Sequence, residues 1–66
     1  MKILHLSKEI YTYEKIRKVK SVYSDYAVIH VIPQKKNWLV LFNRCTYGEE
    51  QTAMEFENYL IGLENT

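Results

Sequence analysis

His5, His30 and Cys45 are the side chains in this sequence best suited to metal ligation, proton transfer or nucleophilic attack near neutral pH. Their number and spacing argue against each role. A structural zinc site takes four ligands at short, regular intervals, and two histidines with one cysteine fall short of it. Neither histidine has a carboxylate within sequence reach to orient it as a general base. Cys45 stands beside Arg44, which makes it a candidate nucleophile, but a lone cysteine near a strand end reads more simply as a small apolar residue. The only glycines, Gly48 and Gly62, cannot build a phosphate-cradling loop, and no Ser/His/Asp spacing of known form occurs. The sequence therefore predicts no catalytic residue, no metal site and no cofactor.

A second chemistry to weigh is nucleic-acid binding, with Lys35, Lys36, Trp38 and Arg44 as a stacking platform joined by the tyrosines. Charge argues against it. Residues 1–45 carry nine Lys/Arg against Glu9, Glu14 and Asp25, a net of +6, while residues 46–66 carry five Glu and no basic residue, so the whole chain has a net charge of only +1. An acidic second half repels phosphate. Two exposed helix faces of opposite sign that complement one another explain the asymmetry more simply.

The elements that must position these residues follow from pattern. With 66 residues, 47% apolar and 26% charged, the chain is expected to form one small domain over residues 1–66, well outside the disordered class. Lys2 to Leu6 reads as a short strand. At Tyr11-Thr12-Tyr13-Glu14-Lys15-Ile16, Thr12 can cap a helix, Glu14 sits in its first turn, and Tyr11 can staple onto Ile16. Ile16, Val19, Val22, Tyr23 and Tyr26 then form an apolar stripe about 120° wide. Ala27 to Ile32 is a β-branched strand, Pro33 to Asn37 a turn, and Trp38 to Phe42 a third strand, apolar on both faces. After Gly48, a second helix places Ala53, Phe56, Leu60 and Leu63 at helical spacing, with Met54, Tyr59 and Ile61 widening its apolar surface. Tyr11, Tyr23, Tyr26 and Tyr59 are expected to fill the core as large amphipathic side chains.

The predicted fold is α+β, β-α-β-β-α. The most apolar strand, Trp38 to Phe42, takes the centre of a three-stranded sheet, and a right-handed crossover gives the order 1-3-2. Both helices lie on one face, a truncated ferredoxin-like arrangement. One sheet edge and one partly apolar face are then left over. Ile3, Leu4, His5 and Leu6 are the candidate edge residues; Val28, His30 and Ile32 are candidate face residues, joined by either Leu39 with Leu41 or Trp38 with Val40. Such a surface suits a peptide partner added as a strand, or a homodimer through the edge or the open face. No signal pattern and no apolar run of about 18 residues is present, which predicts a cytoplasmic protein without a membrane span.

Two stretches carry a family likeness. Tyr11-Thr12-Tyr13-Glu14-Lys15-Ile16, with the helix ending in Tyr23-Ser24-Asp25-Tyr26 and an apolar strand after it, resembles the Y-[S/T]-x-E-x-I helix start of HxsD-like proteins of His-Xaa-Ser peptide maturation systems. Phe56-Glu57-Asn58-Tyr59-Leu60-Ile61 is similar to the F-x-N-x-L-[L/I] helix that closes those proteins. The resemblance implies a noncatalytic accessory protein that binds a ribosomally made precursor peptide or docks on a radical S-adenosylmethionine enzyme. The alternative expectation is a small homo-oligomeric nucleic-acid-binding or regulatory protein.

Overall fold

A computed structural model describes residues 1–64 of the domain expected over 1–66. Five elements follow in order: β1 (Lys2–Ser7), α1 (Tyr13–Val22), β2 (Val28–Pro33), β3 (Asn37–Asn43) and α2 (Glu49–Glu64). The strands form one sheet in the order β1-β3-β2, and β3 pairs antiparallel with both neighbours. β1 and β2 therefore run parallel, and α1 carries the chain across β3 between them. This is the predicted β-α-β-β-α order with strand order 1-3-2.

Which face the helices cover is decided by β3. Val40 and Phe42 are fully buried and Trp38 packs against the same cluster, so the Trp38-Val40-Phe42 side faces inward. Leu6 and Ile29 join it from the outer strands, Ile16 and Val19 from α1, and Ala53, Phe56 and Leu60 from α2. One core thus lies between one sheet face and both helices. At its centre the Phe42 and Phe56 rings meet edge to face, 5.2 Å between centroids, the arrangement their quadrupoles favour.

The start of α1 forms as its sequence dictates. The Thr12 side chain accepts a hydrogen bond from the Lys15 amide (3.3 Å), Glu14 occupies the first turn, and Tyr11 and Ile16 both pack into the core. The predicted stripe ends sooner than its periodicity suggests. α1 stops at Val22, with Tyr23 as its C-cap, and Ala27 and Tyr26 donate their amides back to the Tyr23 carbonyl (3.1 and 3.0 Å). Tyr26 is exposed as a result, because the chain turns away before another helical turn can bring it inward, and Val22, at the margin of the stripe, is exposed as well. On α2, Met54, Tyr59 and Ile61 likewise face outward.

Gly48 adopts φ +92° and its carbonyl receives both the Thr52 amide (3.1 Å) and the Thr52 hydroxyl (2.7 Å), which starts α2. A Cβ built there meets nothing within 4 Å, so the constraint is the backbone angle alone. Gly48→Ala is expected to cost about 1 to 2 kcal/mol from the left-handed conformation, read as a lower urea midpoint with an unchanged slope. Among the described residues, no helix is long and apolar enough to cross a membrane.

Candidate functional site

Alternation along the strands sorts the predicted contact residues into two groups. Ile3 and His5 of β1, Val28, His30 and Ile32 of β2, and Leu39 and Leu41 of β3 share the face that no helix covers. Leu4 and Leu6 point the other way: Leu6 is buried and Leu4 packs against the core. They remain part of the edge strand, but their main-chain groups, in phase with the Lys8 amide that donates to Lys36, turn toward β3, so the outward main-chain groups of the edge are those of Ile3, His5 and Ser7. Of the two alternatives for β3, Leu39 with Leu41 is the pair on the open face. Trp38 with Val40 is not.

Register arranges this face in two rows. Leu41 lies between Ile3 and His30, and Leu39 lies between His5 and Ile32, with Val28 opposite Asn43 at one end. Each row thus sets one leucine between one isoleucine and one histidine, in opposite order. Ile3, Val28 and Ile32 remain 39–42% exposed, while their neighbours shield Leu39 and Leu41 to an intermediate degree. Beside this patch run two strand edges that, among the described residues, no other strand pairs. β2 ends in Pro33, which has no amide to donate, whereas β1 contains no proline.

The basic residues do not gather into the stacking platform considered above. Lys35 and Lys36 sit in the β2–β3 turn and Arg44 just past the far end of β3, so about 25 Å of strand separates them. Trp38 is occupied. Its indole N–H donates to the Tyr11 carbonyl (3.0 Å), the Lys8 ammonium lies 4.6 Å from its ring, and Tyr13 packs 5.5 Å away. It pins the β1–α1 connection rather than offering a ring to a base.

Cys45 is half-buried against the core with its thiol directed at the Asn43 carbonyl (3.8 Å). Among the described residues, no three of His, Cys, Asp and Glu cluster to hold a metal ion. The two histidines share the open face but lie on opposite sides of β3 and in different rows. The opposed charges of the two halves meet at exposed pairs, Lys2 with Glu50 (3.3 Å) and the Met1 amino group with Glu49 (2.8 Å). Such pairs contribute little to stability.

No family model, curated protein or solved structure matches this chain. Its candidate sites therefore rest on its own geometry.

A second feature of that geometry was not legible in the sequence. Tyr23, Tyr26, Tyr47, Thr52 and Glu55 line a pocket of about 240 Å³ between the turn after α1 and the start of α2. Tyr26 and Tyr47 pack at 5.8 Å, and Tyr23 is braced by Phe56 at 6.1 Å and Tyr59 at 6.3 Å. Tyr26, Tyr47 and Tyr59 are exposed rings, which corrects the expectation that Tyr26 and Tyr59 fill the core; Tyr11 and Tyr23 do pack against it. Burial, and then the nearby charges of Glu55 and Tyr59, push the Tyr23 phenol above its ordinary value. It therefore stays neutral at physiological pH.

Proposed function

We propose that this protein is a noncatalytic binding module that takes up an extended segment of a ribosomally made precursor peptide and presents it to a radical S-adenosylmethionine enzyme. The observation that carries this reading is the uncovered sheet face, two central leucines flanked by Ile3, Ile32, His5 and His30, lying beside an unpaired strand edge. An extended peptide paired along β1 gains main-chain hydrogen bonds, and its continuation turns back across the open face to cover Leu39 and Leu41. β1 is the favoured edge because Pro33 interrupts donation along β2. The choice of peptide and enzyme rests on the likeness of the Tyr11–Ile16 and Phe56–Ile61 stretches to HxsD-like proteins.

Titration of ¹⁵N-labelled protein with a synthetic leader segment of a His-Xaa-Ser precursor tests the reading. Backbone amides of residues 2–7 are expected to shift, and those on the outer edge to exchange more slowly with solvent. Spectra that stay unchanged at millimolar peptide would remove the support for peptide binding. Shifts that appear instead on raising the concentration of protein alone would replace the peptide with a second copy of this chain.

A further inference from the structure

We propose that the pocket formed by Tyr23, Tyr26, Tyr47, Thr52 and Glu55 binds an alkylated ammonium group. It is built from the α1–β2 turn, the loop before α2 and the first turns of α2, apart from the open sheet face, and the inference is independent of the peptide reading.

Three phenol rings and one carboxylate make a lining that is negative without being strongly polar. The face of each ring carries the negative lobe of its quadrupole, which attracts a cation placed over it. None of the five lining residues bears a positive charge. Glu55 is held by the neutral amide of Gln51 (3.1 Å), so its charge is oriented without being neutralised. The sequence around the pocket points the same way, since residues 46–66 contain five glutamates and no lysine or arginine. Lys2, a basic side chain that reaches α2, is paired with Glu50.

Chemistry narrows the class of cation. A bare ammonium is strongly hydrated and asks for several acceptors in exchange for its water, while a guanidinium presents five donors in a fixed fork. This pocket has one carboxylate; its other oxygens are neutral hydroxyls, and that of Thr52 belongs to a residue only 3% exposed. An ammonium whose protons are replaced by methyl groups needs no acceptors and is matched by aromatic faces. The rings are also partly preorganised: Tyr23 is wedged between Phe56 and Tyr59, and Tyr47, although 63% exposed, is held against Tyr26. Tyr26 and Tyr47 lie outside the core cluster, so packing of the core does not explain their position.

The same head group occurs on small metabolites and on methylated lysine side chains of proteins, and two probes separate these sources. Choline and a short peptide containing trimethyllysine are titrated separately into the protein, with ring resonances of Tyr23, Tyr26 and Tyr47 observed by NMR. Both are expected to shift these rings saturably. The neutral isostere 3,3-dimethylbutan-1-ol should bind at least about tenfold more weakly than choline, because it fills the same space without the charge. Tyr47→Ala, at an exposed position, should abolish the shifts of Tyr23 and Tyr26 while the melting curve is retained, and Tyr47→Phe should preserve them. Tighter binding of the peptide than of choline assigns the pocket to a protein side chain, and the reverse assigns it to a free small cation. Equal binding of the neutral isostere, or no saturable ring shift with either cation at tens of millimolar, would overturn the proposal.

Discussion

Phe56→Ala is expected to leave the chain largely unfolded at 37 °C. Phe56 is fully buried, meets Phe42 edge to face at 5.2 Å, and supports Tyr23 at 6.1 Å. Removing such a ring costs about 3 to 5 kcal/mol, from lost burial and from the cavity left behind. A single core in a domain of this size supplies about 3 to 5 kcal/mol in total. The two quantities are equal within their precision, so no margin remains. Thermal melting by circular dichroism checks this: each kcal/mol moves the midpoint by about 4 to 8 °C at this length, so a cooperative transition within about 10 °C of the parent would contradict the core assignment.

The second large effect separates the two faces of one strand. Leu41→Glu places a carboxylate on the uncovered face between Ile3 and His30, where water still reaches it, and should change stability by about 1 kcal/mol or less. Its effect on partner binding should be far larger. A peptide seated across this face would strip the new carboxylate of water against its own apolar side chains, and a penalty of about 3 kcal/mol weakens binding by about 100-fold. Val40→Glu, one residue away, turns a carboxylate into the core and should prevent folding. Isothermal titration of Leu41→Glu with the leader peptide, beside melting curves of both variants, gives the contrast. Unfolding of Leu41→Glu, or undiminished peptide affinity, would place the binding surface elsewhere.

Local signals carried most of the fold. Thr12, Glu14 and Ile16 mark the start of α1 within five residues, and Pro33 and Asn37 bound the turn that pairs β2 with β3. Strand order followed from the uniform apolarity of β3. That same uniformity hid which side of it meets the helices, because Leu39 and Leu41 are as apolar as Val40. The choice falls to partners distant in sequence: Phe56 supplies the ring opposite Phe42, and Tyr11 supplies the carbonyl for the Trp38 indole. Leu4 and Leu6 were grouped with Ile3 and His5 because they share a strand, whereas side-chain direction and outward main-chain groups both alternate along it. The tyrosine pocket was beyond local reading altogether. Its rings come from positions 23, 26 and 47, and only the turn that ends α1 at Val22 swings Tyr26 out to meet Tyr47.

The account depends most on an apolar sheet face that is open in the free protein and closed by a partner. Paramagnetic relaxation of methyl resonances by an inert soluble probe, recorded with and without the leader peptide, measures this directly. Leu39 and Leu41 methyls should relax strongly in the free protein while Val40 methyls do not, and the peptide should suppress the effect at both leucines. Leucine methyls as protected as those of Val40 before any peptide is added, or relaxation that the peptide leaves unaltered, would contradict it.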